Sequence, residues 1–307
     1  DNSNISINED ISDESQKIMD GYKTIALFGL DNRSNGDLMQ GRSDVIMIAA
    51  INSKTHDVKI ASVYRDSYLD TGDGIFQKCN AAYAKGGPEQ AISMLNTNLD
   101  LNITDHVTVD FNAIVECVDL LGGIEMTITD DEANLMTGYI REINELTGHS
   151  SVVPPSGGTY TLDGVQACAF ARIRYGGGND YKRTERQRAV LSAMVAKAQK
   201  SNLLTLNKLI NEVFGDIETN LSTTDIISLA TKIFSYDMGE TTGFPFEKAT
   251  HTYDSVGDVV IPCDLVSNVT KLHQFLYDDE NYTPSQTVQK NSDTIIQKTG
   301  FRQGDGY

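Results

Sequence analysis

Runs of Ile, Val and Ala near the start of the chain predict three β-strands, at Thr24–Leu30, Val45–Asn52 and Asp57–Arg65. Only the turn-like residues 53–56 separate the second run from the third. An antiparallel meander of these strands would bring the end of the first, the start of the second and the end of the third to one edge of a sheet. The pattern therefore predicts that the polar residues beside these strand ends lie close together.

Farther along the chain, the periodicity alternates between helical and extended. It predicts strands over 106–111 and 124–129 and around 241–248 and 258–262. It predicts helices over 78–99, 112–121, 162–172, 180–200 and about 266–277, with two or three shorter helices in 203–236. Strands that alternate with helices predict an α/β fold with three layers, α/β/α.

The polar ends of the chain predict less order. Residues 1–21 are typical of a linker or stalk followed by a short helix, and residues 281–307 form a polar tail that we expect to be loosely ordered. The polar residues 130–160, with a helical middle, indicate a lid or a surface excursion. Because the sequence opens on an acidic polar run and not on Met, we expect that the natural chain extends further upstream.

Composition excludes several classes of protein. Asp and Glu number 43 against 25 Lys and Arg, and the resulting formal charge of −18 argues against nonspecific nucleic-acid binding. No apolar run is long enough to predict a membrane-spanning helix. The cysteines are widely spaced, which favours buried free thiols over a zinc site or a disulfide, at Cys79, Cys117, Cys168 and Cys263.

One basic stretch contrasts with this acidic background. The segment AFARIRYGGGNDYKRTERQR contains Arg172, Arg174, Lys182, Arg183, Arg186 and Arg188. Arginine clusters suit phosphates, because a guanidinium group can bind two phosphate oxygens at once. The stretch therefore predicts a local anionic partner, and the N-terminus of the helix that begins near Asp180 adds positive potential.

The helix that begins near Asp180 places part of this charge on its inward face. At about 100° per residue, Arg183 and Gln187 continue the apolar stripe of Val190, Met194 and Ala198. A buried guanidinium group needs an anionic partner, because an unpaired buried charge is very costly. A phosphate ligand is favoured here, and an internal salt bridge to Asp31 or Asp44 is the alternative.

The predicted edge of the strand meander gathers acids and arginines. Asp31 follows the first strand, and Arg65 ends the third. Arg42 and Asp44 lie at the start of the second. Carboxylates that meet arginines suit a hard cation held between carboxylate and phosphate, as Mg²⁺ usually is. Ordinary salt bridges at strand ends are the alternative, although the same chemistry at three strand ends favours a site.

Taken in order, seven segments closely resemble the LytR-CpsA-Psr family of cell-wall glycopolymer ligases. They are GLDNR, GRSDVIMI, SVYRDSYL, KCNAAYAKGG, VDFNAIVECVDLLGGIEM, LDGVQACAFARIRY and DYKRTERQR, with a looser match through VIPCDLVSNVTKLHQFLY. Each segment alone is weak evidence, but all seven in the family's order are specific. Two positions depart from the family pattern, since Tyr64 stands where Pro is usual and Cys79 where an aliphatic residue is usual.

The resemblance implies a central mixed β-sheet flanked by helices, with the catalytic domain at 22–280. It implies a Mg²⁺-dependent phosphotransferase that moves a glycopolymer, such as a teichoic acid or a capsular polysaccharide, from an undecaprenyl-pyrophosphate carrier to peptidoglycan. It also implies a place at the extracellular face of the membrane or in the wall of a Gram-positive-type bacterium, with an N-terminal membrane anchor outside the present sequence.

The resemblance also implies roles for individual residues. Asp31 and Asp44 would bind Mg²⁺, and catalysis would use Asp44, Arg65 and Asp180. The polyprenyl pyrophosphate would be bound by Arg42, Arg65, Arg172, Arg174, Arg183 and Gln187. We further expect a groove for the lipid tail, lined by Phe111, Ile114, Val118, Val190 and Met194, although each of these also has the pattern of an ordinary core residue.

In the mechanism that we expect, a sugar hydroxyl of the acceptor attacks the sugar-proximal phosphorus. Mg²⁺ and arginine would neutralise the leaving lipid phosphate, and Asp44 or Asp180 would take the proton. A hydrolase would use the same site with water as the acceptor, and a lipid-phosphate-binding protein would hold the ligand without turnover. A purely structural domain would do neither.

Overall fold

The computed structural model describes residues 4–31, 37–39, 41–174 and 180–307. The chain divides into two compact units. The first unit comprises Asp1–Thr108, Thr219–Leu221 and Tyr236–Tyr307. The second comprises Val109–Glu218 and Ser222–Ser235. Each unit has a hydrophobic core of its own.

Strands and helices alternate along the chain as the sequence predicts. The strands are β1 (Tyr22–Leu30), β2 (Ser43–Asn52), β3 (Asp57–Val63), β4 (Tyr68–Asp70), β5 (Phe76–Lys78), β6 (Asp105–Val109), β7 (Ile124–Ile128), β8 (Gly158–Leu162), β9 (Glu218–Thr219), β10 (Asp237–Phe244), β11 (Lys248–Tyr253) and β12 (Gly257–Pro262). The α-helices are α1 (Asp13–Met19), α2 (Ala81–Leu99), α3 (Phe111–Leu120), α4 (Asp130–Thr147), α5 (Gly164–Arg172), α6 (Asp180–Gln199), α7 (Leu203–Val213), α8 (Thr223–Thr231), α9 (Leu265–Tyr277) and α10 (Gln286–Thr299).

The first unit is organised around a six-stranded sheet in the order β10-β3-β2-β1-β6-β9. β1 pairs antiparallel with β2, and β2 antiparallel with β3, so the predicted meander is confirmed. β10 pairs parallel with β3, which makes the sheet mixed. The predicted α/β fold, with a central mixed sheet flanked by helices, is confirmed.

Both faces of the central sheet are buried. On one face, Phe28, Ile48 and Val63 pack in a core with residues of α2 and α9, such as Tyr83 and Leu272. Alternate residues of the same strands point to the opposite face, where Ile25, Met47 and Ile60 are also buried. Near-continuous apolar runs are the expected sequence of strands that are covered on both faces.

α1 and α10 fold near the two ends of the chain, so the short helix expected at the N-terminal end is confirmed and the loose order expected for residues 281–307 is wrong. Met19 of α1 and Ile295 of α10 belong to the core of the first unit. The pattern hid this because both helices are short and polar, with apolar residues only on the face that packs. The limits of the functional domain at residues 22 and 280 stay a prediction.

The second unit packs α3, α4, α5 and α6 around the two-stranded sheet β7–β8. Within residues 130–160, where the pattern indicates a lid or a surface excursion, α4 is firmly packed, since Met136, Ile140 and Ile143 are buried at helical spacing. α5 lies so close to α3 that a Cβ at Gly164 would lie 2.7 Å from the Val115 Cα.

All four cysteines are free thiols, as the spacing predicts. Burial raises the pKa of the Cys117 thiol to about 11 and that of Cys168 to about 12. Within the described ranges, the helices are too short or too polar to span a lipid bilayer.

Candidate functional site

The predicted site residues form one charged group in each unit. In the first unit, the register Met47↔Ser62 places Asp44 opposite Arg65 when it is continued by three residues, which is two residues beyond the end of β3. Arg65 Nη1 donates to Asp44 Oδ1 at 2.5 Å, with each side chain about three-quarters buried. The structure therefore brings Asp44 and Arg65 together, as the strand ends predict.

Further charges extend this pair along the same edge. Arg65 Nε lies 3.9 Å from Asp66 Oδ2, and Lys78 Nζ lies 3.2 Å from Asp66 Oδ1. The charges thus alternate in sign from Asp44 through Arg65 and Asp66 to Lys78. An alternating row of this kind fixes the position of each long cationic side chain, which an isolated surface pair does not.

Asp31 and Arg42 lie at the same end of the sheet. β1 ends at Leu30, which pairs antiparallel with Ser43, so Asp31 lies one position beyond this pair on one strand and Arg42 one position beyond it on the other. Arg42 is exposed and directly precedes β2. The segment 32–36 between these strands, and Gln40, lie outside the described residues.

The carboxylates of Asp31 and Asp44 are the oxygen ligands that Mg²⁺ prefers. They would not complete a site by themselves, since no group of three or more His, Cys, Asp or Glu residues in the described part of the chain could hold a metal ion. Protein-bound Mg²⁺ usually has one or two carboxylates and takes its other ligands from phosphate and water. The two acids therefore fit a Mg²⁺ ion that binds together with a phosphate-bearing substrate.

Tyr64, one of the two departures from the family pattern, extends the β3–β10 pair towards the site. Its N–H donates to the Phe244 carbonyl at 3.0 Å, which Pro could not do. Its ring lies against Gly243, where an added Cβ would lie 2.5 Å from the Tyr64 Cζ. The chain therefore leaves β3 in a fixed direction immediately before Arg65.

In the second unit, the first two turns of α6 bury three arginines. Arg183, Arg186 and Arg188 are 4%, 7% and 6% exposed. Arg183 Nη2 lies 2.8 Å from Asp180 Oδ1, Arg186 Nε donates to Glu132 Oε1 at 2.9 Å, and Arg188 Nη1 donates to Thr184 Oγ1 at 3.2 Å. The inward position of Arg183 is confirmed, and Arg186 and Arg188 are buried beside it on the same helix.

Arg172, the last residue of α5, is clamped between two aromatic rings. Its Cζ lies 4.5 Å from the Phe111 ring centroid and 5.3 Å from that of Tyr139. Nη2 donates to Glu142 Oε1 at 3.3 Å, whereas the buried Nη1 has no hydrogen-bond partner among the described residues. The guanidinium plane is thus held in place with one donor group still available.

Gln187 and Arg174 complete the predicted set in this unit. The buried Oε1 of Gln187 likewise accepts no hydrogen bond from the described residues. Arg174 is exposed and lies two residues beyond α5. The following residues, 175–179, which include the three consecutive glycines of the basic stretch, lie outside the described part of the chain.

The pattern did not reveal the acidic partners on α4. Glu132 binds Arg186 and Glu142 binds Arg172, but the segment that holds them was expected to form a lid. A usable signal was present, because Thr129 and Glu132 have the spacing of a capping box and do form one. That motif predicts a helix that begins at 130 and carries both acids.

The five predicted tail-groove residues all belong to one hydrophobic cluster of the second unit. Val118 is 0% exposed and Val190 4%, so both are core residues here. The other three, Phe111, Ile114 and Met194, are partly buried at the margin of the cluster. The groove for a lipid tail stays a prediction, as does the convergence of the two charged groups on one diphosphate.

Comparison with known proteins agrees with the resemblance in the sequence. The model of the LytR_cpsA_psr family matches residues 2–254. The crystal structure of protein gbs0355 from Streptococcus agalactiae has the same fold, with a TM-score of 0.70 and 24% identity, and the match covers 89% of this chain and 93% of that one.

Two curated relatives are similar in sequence. The polyisoprenyl-teichoic acid–peptidoglycan teichoic acid transferase TagU of Enterococcus faecalis is 31% identical over 210 residues, which are 67% of this chain and 64% of the relative. The corresponding transferase TagT of Bacillus subtilis is 29% identical over 232 residues, 74% of this chain and 69% of the relative. The match to the Enterococcus protein therefore covers less than two thirds of that protein's own length. On the match to the family model, this chain belongs to the LytR_cpsA_psr family.

Proposed function

We propose that this protein is a phosphotransferase that moves a cell-wall glycopolymer from a polyisoprenyl-pyrophosphate carrier to peptidoglycan. The observation that carries the proposal is Arg172, whose guanidinium group lies between Phe111 and Tyr139 with a buried Nη1 that no described residue binds. A clamped guanidinium group with one donor still available is suited to bind a phosphate oxygen. The names of the TagU and TagT relatives, which are teichoic acid transferases, support the same activity.

In this proposal, α5 and α6 bind the diphosphate. Arg172 is held in a single orientation by its two rings, so binding a phosphate oxygen costs little further ordering of the side chain. Arg183 is held by Asp180 in the first turn of α6, where the helix N-terminus also favours a negative charge. Gln187, one turn later, and the exposed Arg174 would contribute further contacts.

The strand edge of the first unit carries the other residues to which the family resemblance gives a role. Asp44 orients Arg65 through their hydrogen bond, and the exposed Arg42 lies beside them. Asp31 and Asp44 would hold Mg²⁺. When bound, Mg²⁺ supplies positive charge that polarises the phosphate and stabilises the leaving group.

The proposed reaction breaks the phosphoanhydride bond of the carrier and forms a phosphate ester bond to the acceptor. A hydroxyl oxygen of the peptidoglycan acceptor attacks the sugar-linked phosphorus, and the bond from that phosphorus to the bridging oxygen of the pyrophosphate breaks. Polyisoprenyl phosphate leaves, and the glycopolymer stays on the acceptor through a phosphodiester. Asp44 or Asp180 receives the hydroxyl proton, and the arginines stabilise the charge that develops on the leaving phosphate. This chemistry would take place at the extracellular face of the membrane, where the lipid carrier and the wall meet.

Transfer of a labelled lipid-linked glycopolymer to purified peptidoglycan tests the proposal. We expect Mg²⁺-stimulated linkage that chelation abolishes, and a loss of about a hundredfold or more in Arg172→Ala and in Arg65→Ala, as is typical when a charge-stabilising donor is removed. Arg141→Ala is the matched control, because Arg141 is an exposed residue of α4 in the same unit as Arg172. Binding of the lipid without any turnover in the unaltered protein would contradict the proposal.

The products separate transfer from hydrolysis at the same site. A transferase consumes the lipid-linked polymer only when the acceptor is present and yields wall-linked polymer. A hydrolase releases free phosphorylated polymer at the same rate with or without peptidoglycan, and that result would replace the transferase by a polyisoprenyl-pyrophosphate hydrolase.

A further inference from the structure

The second unit exposes large apolar side chains where α6 ends and α7 begins. Leu203 and Leu204 are 73% and 81% exposed, and Phe234, in the 3-10 helix Ile233–Ser235, is 53% exposed. Single exposed leucines are ordinary on protein surfaces, but a group of them marks a surface that contacts another body. These three residues are termed the apolar corner.

Contacts within the unit tie the parts of the apolar corner together. Gln199 Nε2, at the end of α6, donates to the Ile233 carbonyl at 3.0 Å. Beneath the surface, Ala198, Leu206 and Ile233 pack in one small cluster. The start of α7 and the 3-10 helix are therefore both fixed against the end of α6, with Leu203, Leu204 and Phe234 left outside the cluster.

Lysines surround the apolar corner, and acids are absent from the two segments that form it. Residues 195–210 and 230–235 contain Lys197, Lys200, Lys208 and Lys232 and no Asp or Glu. Lys208 has a distant partner in Glu212, at 3.8 Å. The other three lysines form no ion pair within 4.0 Å with the described residues. On a chain with a net charge of −18, this is a local reversal of sign.

We propose that the apolar corner and its lysines dock onto the surface of an anionic lipid bilayer. Exposed leucine and phenylalanine side chains enter the boundary between head groups and acyl chains, and lysines beside them attract anionic head groups. A second copy of the chain is negatively charged overall, as the bilayer is, but in a symmetric contact it would place its own lysines against these lysines. The lysines therefore favour a bilayer over a second copy of the chain. The choice of a bilayer rests on the proposed function, because a polyisoprenyl carrier is a membrane lipid.

Sedimentation with phospholipid vesicles tests the docking. We expect the protein to sediment with vesicles made of phosphatidylcholine and phosphatidylglycerol, and much less with phosphatidylcholine alone. The double variant Leu203→Ser and Leu204→Ser should weaken binding by about tenfold or more, because two largely exposed apolar side chains no longer insert. The variant Val152→Ser is the matched control, since Val152 is 72% exposed elsewhere in the second unit.

Charge variants test the second half of the proposal. Lys200→Glu should weaken binding to the anionic vesicles by about fivefold or more, and added salt should weaken the binding of the unaltered protein. Lys54→Glu, at an exposed turn of the first unit, should leave binding unchanged. Circular dichroism of each variant checks the fold, and the exposure of all these side chains predicts that it is retained.

Two results would overturn the docking. One is equal recovery of the protein with and without anionic lipid. The other is a dimer in sedimentation velocity that the Leu203 and Leu204 substitutions dissociate, because the apolar corner would then be a protein interface. Polymer transfer from a detergent-solubilised carrier is measured separately. Normal transfer without vesicle binding would contradict the docking and leave the proposed function intact. Vesicle binding without transfer would contradict the proposed function and leave the docking intact.

Discussion

Tyr64 shows how one side chain fixes the approach to the candidate site. Its N–H continues the pairing of β3 with β10 beyond the last strand residue, and its ring fills the space above Gly243. Arg65 follows immediately and meets Asp44. Tyr64, which departs from the family pattern, therefore helps to position Arg65, a predicted site residue.

Gly243→Ala tests this contact. The new Cβ would overlap the Tyr64 ring, so we expect the free energy of unfolding to fall by about 1–3 kcal/mol, as in other overpacked cores. In a Tyr64→Ala background the methyl group enters vacated space, so the cost of Gly243→Ala should shrink and the two changes should couple by at least about 1 kcal/mol. Urea denaturation of the four proteins measures the coupling, and strictly additive costs would show that the ring does not rest on Gly243.

His273 is a buried imidazole whose protonation opposes folding. It is 0% exposed, its Nε2–H donates to the Leu99 carbonyl at 2.9 Å, and its ring stacks on Tyr282 at 4.0 Å. Burial lowers the pKa of His273 below its usual value of 6.5, and nearby Asp100 and Asp279 only partly offset this. The folded protein therefore keeps His273 neutral at a pH at which the unfolded chain protonates it.

The sign of the pH effect follows from the extra proton on the unfolded chain. Below about pH 6.5 the unfolded state binds more protons, so stability should fall as the pH falls, by up to about 1.4 kcal/mol per pH unit for this group. His106, whose pKa is also lowered by burial, acts in the same direction. We expect His273→Gln to flatten the decline between about pH 7 and about pH 5 in urea denaturation. An unchanged slope would mean that His273 takes up its proton over the same pH range in the folded protein as in the unfolded chain.

α5 and α3 approach each other so closely at a glycine that no side chain fits between them. At Gly164, the first residue of α5, an added Cβ would overlap the Val115 carbonyl oxygen and lie 2.7 Å from the Val115 Cα. Both obstacles are backbone, so neither can swing aside as a flexible side chain would. Arg172 is the last residue of α5, so the contact at Gly164 helps to determine where Arg172 lies.

Gly164→Ala should cost about 3 kcal/mol or more of unfolding free energy and should displace Arg172, because α5 must shift as a body. Gly138→Ala is the matched control. Gly138 lies inside α4 with nothing within 4 Å of its added Cβ, so that substitution should stabilise the protein by about 0.5–1 kcal/mol. Urea denaturation gives both values, and equal effects of the two substitutions would contradict the close contact.

The sequence predicts an element well when the element carries its own pattern. The strands β1 to β3 are apolar runs, and the helix of Arg183 and Val190 has a clear stripe, so both were predicted with nearly their observed bounds. The pattern does not predict β8 and β11, because each is a short, largely polar strand that pairs with a single neighbouring strand. Pairs such as Asp44–Arg65 were predictable from strand topology, whereas Glu142–Arg172 depends on how two helices pack.

At the scale of the whole chain, Asp100 connects segments that are distant in sequence. This fully buried carboxylate accepts hydrogen bonds from Asn8 Nδ2 at 2.7 Å, Tyr282 Oη at 2.6 Å and Ser285 N at 2.8 Å. Its partners lie 92, 182 and 185 residues away. No local pattern reveals such contacts, which explains why the pattern predicts a loosely ordered tail at 281–307.

Asp100→Asn tests whether this carboxylate holds the two ends of the chain in place. Asn tolerates the left-handed backbone at this helix end, φ 51°. It has one acceptor oxygen in place of two, so it cannot accept the hydrogen bonds of both Asn8 and Ser285 in the present arrangement. We expect a loss of about 1–3 kcal/mol and faster amide exchange in α1 and α10. Asp278→Asn is the matched control, because Asp278 ends α9 with the same backbone conformation, φ 53°, but lies at the surface. Exchange that rises equally in both variants, or throughout the sheet and not at the ends, would show that Asp100 stabilises α2 locally and does not join the two ends of the chain.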